Sequence, residues 1–306
     1  MTRIIFASIA FLFAYNWVFS QVNASYNIIE YNDLLYVNKS TAEHDSLQRL
    51  NLVLPKDKED APLFIWIGGG AWSYGDKNQE TKIAQKLGQE GIAVAVVGHR
   101  LSPAIWRDPK LSTGVQHLAH IKDVAAAVKW LYENAAKYRY SKDKIFIGGF
   151  SSGAHLAALI SLDETYLAEK GLSTDLFKGI IPISGTYDIL NYYEVMKNSN
   201  QPELAELHVQ AVFGKMQEDF IKASPTSYLE HLSTPMLVMS DNNMYNYTRL
   251  LEDRIRTTDF RDMSVVHAYE FGHGALWRNM SQDEHSIYRN IIVDFIKKRS
   301  ATEKAK

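Results

Sequence analysis

The stretch KIFIGGFSSGAHLAALISL, residues 144–162, gives the clearest indication of the fold in this chain of 306 residues. It begins as a short apolar run, turns at GFSSG (149–153) and continues in small and apolar residues. A buried strand, a tight turn and a helix in direct succession are typical of a sheet that helices cover on both faces. The two flanking glycines let strand and helix approach closely while Ser151 takes a strained turn conformation.

Apolar or β-branched runs alternate with helical patterns along most of the chain. This alternation predicts an α/β fold with a mostly parallel, doubly wound sheet, whose ligands bind beyond the carboxyl ends of the strands. The aromatic, irregular stretch 185–233 is too long for an ordinary connection, and we expect it to form a lid or cap. Strands are predicted at 26–37, 47–54, 62–67, 92–98, 144–148, 179–184, 236–240 and 264–269, and helices at 77–89, 121–138, 153–162, 247–257 and 283–298.

Three glycine-containing motifs follow predicted strands and should therefore meet at one edge of the sheet. The G-x-S-x-G turn presents Ser151 as a nucleophile at the start of a helix. The glycines at 68–70 follow a buried strand and can direct backbone N–H groups toward developing negative charge. His273, between two glycines after the last strand, is the expected general base, and its place after the serine in the chain fits this kind of site.

Other histidines compete for a functional role. His155 lies inside the helix after the turn and is interpreted as a packed, hydrogen-bonded structural residue. His117, His120 and Asp123 are spaced by threes and could imitate a metal site on one helix face. No fourth ligand and no H-E-x-x-H motif accompanies them, so they are interpreted as structural. The sequence predicts no metal site and no organic cofactor.

Composition and the N-terminus bear on partners and location. The net charge is −2 and no long block of like charge is present, which argues against nucleic acid or an anionic membrane surface as a partner. Arg3, the apolar run 4–19 and the small residues Ser20 and Ala24 predict a signal peptide, residues 1–20, before a domain at 21–306. Cleavage after Ser20 and cleavage after Ala24 both fit the pattern.

The apolar run is short for a membrane span of about 20 residues, so an uncleaved anchor is the less favoured alternative. We therefore expect an exported protein, periplasmic or extracellular, with no membrane span after signal removal. The chain has no cysteine, which excludes a cysteine nucleophile and a thiolate metal site.

Seven segments, in order, resemble the carboxylesterase branch of the α/β hydrolases. The resemblance is closest to the groups related to hormone-sensitive lipase, kynurenine formamidase and bacterial feruloyl or acetyl-xylan esterases, and it covers roughly residues 60–280. The segments are IGGGAWSYGDK (67–77), HRLSP (99–103), AHIKDVAAAVKWLYENA (119–135), IFIGGFSSGAHLAALISLDETYL (145–167), IPISGTYDIL (181–190), ASPTSYL (223–229) and GHGALW (272–277).

The resemblance implies roles for individual residues. Ser151 would be the nucleophile and His273 its base, and the backbone N–H groups of Gly69, Gly70 and Ser152 would form an oxyanion hole. Arg100 and Asp123 would form a structural ion pair behind the site. The aromatic residues expected to wall the substrate pocket are Trp72, Trp277 and Tyr187.

The sequence departs from the family pattern at two places. Ile67 stands where the family usually has a histidine that braces the oxyanion loop. The triad acid is ambiguous, because strict family spacing assigns its position to Asn243, whereas Asp241 is the nearby carboxylate. We favour Asp241, since an imidazolium needs a charged partner.

These features predict a serine esterase that works by two-step acyl transfer through an acyl-enzyme. The expected substrates are small-molecule or glycan esters with short-chain or carbohydrate-linked acyl groups. An amide or formamide hydrolase would carry the same motifs and is one alternative. A non-catalytic binding module on a hydrolase scaffold is the other, because a fold alone does not imply a function.

Overall fold

The computed structural model describes residues 25–37 and 46–301, and the predicted signal peptide, residues 1–20, lies outside them. The described residues contain one eight-stranded sheet. Its strands are β1 (Ile28–Leu35), β2 (Arg49–Pro55), β3 (Ala61–Ile67), β4 (Ala93–Val97), β5 (Tyr140–Phe150), β6 (Phe177–Ile183), β7 (Met236–Asp241) and β8 (Met263–Ala268).

The strand order across the sheet is β1-β2-β4-β3-β5-β6-β7-β8. β1 pairs antiparallel with β2, β2 pairs antiparallel with β4, and all other neighbours are parallel. The carboxyl ends of six strands, β3 to β8, therefore lie at one edge of the sheet. The predicted α/β class with a mostly parallel sheet is confirmed.

Helices lie between the strands in sequence and cover the sheet. Among the described helices, none is both long and apolar enough to cross a membrane. The α-helices are α1 (Thr81–Gln89), α2 (His117–Tyr138), α3 (Ser152–Leu162), α4 (Thr165–Ala168), α5 (Ile189–Lys197), α6 (Ala211–Phe213), α7 (Gln217–Lys222), α8 (Tyr245–Arg256), α9 (His273–Ser281) and α10 (Ile287–Ala301). The other helical segments are not α-helical. Three are 3-10 helices, at Lys77–Glu80, Thr174–Leu176 and Pro225–His231, and the segment Ala205–Gln210 is a π-helix.

Strand β3 shows why the central strands are continuous apolar runs. All seven of its residues are buried. Because side chains alternate across a sheet, Leu63 and Ile65 join one apolar layer, whereas Phe64 and Trp66 join the layer on the opposite face. A strand with a helical layer on each side has no solvent-facing side, so it carries no alternating polar residues.

Two predictions of local structure were incomplete. A helix at 273–281, α9, was not predicted, because glycine-rich residues begin it and its apolar face is short. The aromatic stretch 185–233 is mostly helical rather than irregular. Its buried residues Val209, Val212 and Phe213 pack into the core, so tertiary contacts stabilise helices that are too short to form alone.

Candidate active site

Ser151 occupies the turn between β5 and α3. Its φ of 56° and ψ of −121° define a backbone conformation that residues other than glycine rarely adopt. Glycine is required on both sides of Ser151 because the backbone of β3 passes too close for a side chain. A Cβ on Gly153 would lie 2.0 Å from the carbonyl oxygen of Ile67, and one on Gly149 would lie 2.4 Å from it. The Ser151 N–H donates to Ile183 at the end of β6, 2.9 Å away. The predicted strand–turn–helix context of the serine is confirmed.

A hydrogen-bonded chain joins Ser151, His273 and Asp241. The His273 Nε2 atom lies 2.9 Å from the Ser151 hydroxyl oxygen, and its Nδ1 atom lies 2.8 Å from a carboxylate oxygen of Asp241. The Asp241 side chain is fully buried, whereas the His273 side chain is 34% exposed. Since an ionised carboxylate only accepts, Nδ1 carries the proton and Nε2 is free to accept one from the serine.

The environment of Asp241 keeps its carboxylate charged. Burial alone would raise the pKa of Asp241, but hydrogen bonds from the His273 and Ser184 side chains, with further contacts, leave that pKa below its usual value. The second carboxylate oxygen accepts N–H groups from Asn243 and Met244 at 2.8 and 3.0 Å. Two backbone donors thus fix the carboxylate while its other oxygen holds the imidazole.

Asn243, the alternative acid position, has a different contact. Its side-chain oxygen accepts the backbone N–H of His273 at 2.8 Å. The structure therefore places Asp241, and not Asn243, against the imidazole ring. Asn243 instead fixes the main chain from which that ring projects.

The predicted oxyanion loop lies beside the nucleophile. A Cβ on Gly69 would be 3.1 Å from the Ser151 Cβ atom, and Gly70 has a φ of 139° with its carbonyl held by the Ser73 and Tyr74 N–H groups. Ser152 is the first residue of α3, where a backbone N–H has no partner within the helix. Gly69 and Ser152 thus lie next to Ser151, and Gly70 follows Gly69 in a backbone conformation that favours glycine.

The predicted pocket walls occupy different environments. Tyr187 is 1% exposed and its hydroxyl accepts the Gly185 N–H, so it is a core residue with almost no surface for a substrate. Trp72 is 3% exposed, and its indole N–H donates to His155. Of the residues expected to wall the substrate pocket, Trp72 is thus covered by Phe213 and Tyr187 lies in the core. Trp277 is partly buried and donates to Glu80.

Three contacts near the triad were not predicted from the sequence. The Phe150 ring packs on the His273 ring, with centroids 4.6 Å apart. Ser184, at a φ of 54° after β6, accepts the Asp241 N–H through its hydroxyl. Glu80 is a buried carboxylate under the oxyanion loop. The sequence signal for Glu80 was its spacing: it lies one helical turn before Ile83 and Ala84, on the apolar face of the helix predicted at 77–89.

The residues interpreted as structural have structural contacts. Arg100 and Asp123 form a two-pronged ion pair at 2.8 and 2.9 Å, as predicted. His155 bonds Trp72 through Nδ1 and the Ala223 carbonyl through Nε2, which confirms it as a packed, hydrogen-bonded residue. Across residues 25–37 and 46–301, no three histidine, aspartate or glutamate side chains are arranged to hold a metal ion.

A mostly parallel sheet with a serine turn after β5, a carboxylate at the end of β7 and a histidine after β8 defines an α/β hydrolase. The family model described as BD-FAE matches residues 50–244, well over half of the chain. The chain belongs to the BD-FAE family.

The chain is also similar to individual proteins. The chain is 31% identical to esterase LipQ of Mycobacterium tuberculosis over 58% of its own length, and it spans 41% of that relative. Esterase B from Lactobacillus rhamnosus is similar in fold, with a TM-score of 0.70 and 20% identity over 89% of this chain and 87% of the other. A truncated carbohydrate esterase from gut microbiota gives a TM-score of 0.63 and 20% identity over 90% and 98%.

Proposed function

We propose that this protein is a carboxylic ester hydrolase that acts through a covalent acyl-enzyme on Ser151. The observation that carries the proposal is the continuous chain of short hydrogen bonds from Asp241 through His273 to Ser151. A nucleophile, a base within hydrogen-bond reach and a group that orients the base are the elements of nucleophilic acyl transfer. The relation to LipQ supports an ester as the substrate.

The proposed mechanism gives each of these residues one step. As the Ser151 oxygen attacks the ester carbonyl, His273 Nε2 takes the hydroxyl proton and the buried Asp241 carboxylate stabilises the resulting imidazolium. Negative charge develops on the carbonyl oxygen, where the N–H groups of Gly69, Gly70 and Ser152 stabilise it. His273 then protonates the leaving alkoxide, and the same residues activate a water molecule that hydrolyses the acyl-enzyme.

We further propose short acyl groups, including acyl groups carried by carbohydrates, as the preferred substrates. The Trp72 ring packs against Phe213, with centroids 4.8 Å apart, and against Tyr192 at 6.2 Å. Trp72 lies two residues after Gly70, and we propose that this cluster of rings limits the length of the acyl chain that the site accepts. Tyr74 is 43% exposed at the outer end of the loop, where its ring offers an amphipathic surface to a sugar. The likeness to a carbohydrate esterase is consistent with this substrate class.

Export remains a proposal from the sequence. The positive residue, apolar run and small residues at the N-terminus support removal of about 20–24 residues. N-terminal sequencing of protein secreted by its native host should begin at Gln21 or Ser25. Recovery of intact Met1 in a membrane fraction would contradict export as a free protein.

Fluorophosphonate labelling followed by peptide mapping tests the ester hydrolase directly. The adduct should be confined to the peptide spanning 145–155, and esters from acetyl to feruloyl should be hydrolysed. Octanoyl esters turning over faster than acetyl esters would contradict the short-acyl proposal alone. Folded protein that neither labels nor hydrolyses an ester would indicate a binding module, and faster turnover of the matching amides would indicate an amidase.

A further inference from the structure

Glu80 is a buried carboxylate that the steps above do not use. It ends the 3-10 turn before α1, and it is 5% exposed. One of its carboxylate oxygens accepts two indole N–H groups, from Trp66 at 2.9 Å and from Trp277 at 3.0 Å. Burial raises the pKa of Glu80 and the two indole donors oppose that rise.

The three residues around this carboxylate belong to different parts of the active site. Trp66 lies in β3, two residues before the glycine loop, and Trp277 lies on α9, one helical turn after His273. The loop itself touches the same side chain, because a Cβ on Gly68 would lie 2.9 Å from the Glu80 Cγ atom. Glu80 thus contacts the strand that enters the oxyanion loop, the loop, and the helix that carries the general base.

Helix geometry explains why the contact with Trp277 bears on His273. Residues four apart lie on the same face of an α-helix, so the indole and the imidazole project from one side of α9. Asn243 holds the start of α9 through the His273 N–H, and Glu80 holds the next turn. With both points fixed, α9 cannot rotate about its axis and carry the imidazole away from Ser151.

The free-energy cost of burying the Glu80 carboxylate indicates that it does more than fill space. Removing a carboxylate from water is costly, and an apolar side chain of the same size would fill the space without that cost. The Ile67 side chain has no polar atom that could brace the oxyanion loop, and Glu80 packs against the next residue, Gly68. The Glu80 side chain therefore packs against the loop at Gly68, and its carboxylate fixes the end of β3 through the hydrogen bond from Trp66.

We propose that Glu80 is a positioning residue that holds the oxyanion loop and the His273 helix in a fixed relation, so that base and oxyanion donors address the same substrate carbonyl. This inference rests on the proposed acyl transfer at Ser151. It predicts an effect on the chemical step rather than on substrate binding, since Glu80 has no contact with the reacting atoms.

Three variants and one control test the proposal. Glu80→Gln keeps an oxygen that accepts both indoles, Glu80→Leu removes it, and Trp277→Phe removes only the link to α9. Trp130→Phe is the control, because it makes the same substitution at another partly buried tryptophan. Trp130 lies on α2 and packs on Tyr138. For each folded variant, the rate of fluorophosphonate labelling of Ser151, kcat and KM for an acetyl ester, and the melting temperature are measured.

A displacement of about 1 Å in a catalytic group can cost up to about 100-fold in rate. We expect Glu80→Leu and Trp277→Phe to lower both kcat and the labelling rate by about tenfold or more with KM within about twofold. Glu80→Gln should restore most of the rate, and Trp130→Phe should change the melting temperature but not kcat.

Wild-type kcat in folded Trp277→Phe and Glu80→Leu would overturn the inference, as would equal losses of kcat in Trp277→Phe and Trp130→Phe. Failure of both Glu80→Leu and Trp277→Phe to fold would also overturn it, because Glu80 would then be a folding determinant. The proposed function fails separately, if the wild-type protein labels at Ser151 but hydrolyses no ester. The labelling rates still decide the role of Glu80 in that case.

Discussion

One histidine in this protein, His273, and a group of four others have opposite environments. His273 is partly exposed, and each of its ring nitrogens has a partner, Asp241 on one side and Ser151 on the other. Within the described residues, His117 is buried with no hydrogen-bond partner on either ring nitrogen, and His120 and His208 each have an unpartnered Nδ1. These three form a buried histidine group with His155. His117 and His155 pack on Phe213, His208 packs on Trp72, and His120 packs on His117.

The difference shows what converts an imidazole into a base. Burial lowers the pKa of each member of the buried histidine group, so these rings stay neutral and act as aromatic packing residues. His273 has the same side chain but faces a buried carboxylate that can stabilise its charged form and a hydroxyl that can donate to it. Function therefore follows from partners and not from residue type.

Removing the hydroxyl partner should have the largest effect. Ser151→Ala leaves His273 and Asp241 in place but removes the attacking oxygen, so kcat for ester hydrolysis should fall by about 10⁶-fold. Ser161→Ala is the matched control, because that serine lies on α3, the helix that follows Ser151, and its hydroxyl donates to the Ala157 carbonyl. Steady-state ester assays of both variants check this. Residual turnover by Ser151→Ala within about 100-fold of wild type would place the nucleophile elsewhere.

Neutralising the carboxylate partner should have the next largest effect. Asp241→Asn keeps the size of the side chain but cannot hold the imidazole in the required tautomer or stabilise the imidazolium. The corresponding change costs about 10⁴-fold in a serine protease, and we expect a loss in kcat of at least about 100-fold here. Circular dichroism should show an unchanged fold. A rate within about threefold of wild type would exclude Asp241 as the triad acid.

Releasing the main chain of His273 should have a smaller effect than removing a partner. Asn243→Ala removes the oxygen that accepts the His273 N–H and should lower kcat by about tenfold, because the imidazole loses one positional restraint. Asn243→Asp keeps that acceptor and should remain close to wild type. A rise in kcat for Asn243→Asp would instead indicate that position 243 is the natural place for the acid.

The buried histidine group should be visible in stability rather than in rate. Burial lowers the pKa of His208 to about 4, whereas an unfolded histidine titrates near about 6.5. Between these values the unfolded chain binds a proton that the folded chain does not, so the free energy of unfolding falls as pH falls. The slope is about 1.4 kcal/mol per pH unit for each such histidine.

His208→Phe places an apolar ring among Trp72, Trp106 and Tyr192 and removes this titration. Urea unfolding measures the free energy of unfolding at pH 6 and at pH 5. Between these two pH values it should fall by about 1 kcal/mol less in His208→Phe than in wild type. His285→Gln is the control, because it removes a histidine that is exposed rather than buried. Equal slopes in wild type and His208→Phe would show that His208 titrates normally in the folded protein.

The sequence predicted the fold through patterns that local physics makes reliable. Every predicted strand is present. The central strands could be predicted because buried parallel strands are short apolar runs that end at turn residues. The helix at 273–281 escaped prediction, since its glycine-rich start resembles a loop. The helices between β6 and β7 also escaped it, because they are short and depend on packing against α2 and α3.

By itself the sequence determined the fold class, because strand and helix patterns alternate along the chain. It also determined the serine turn, the glycine loop and the histidine after the last strand, because each is encoded within a few consecutive residues. Only the tertiary structure decided between Asp241 and Asn243, since the two lie two residues apart and differ in which atom of His273 they reach. It also placed Tyr187 in the core and brought Glu80 to Trp277, 197 residues further along the chain. Such contacts depend on how separate elements pack against each other, and no local pattern records that packing.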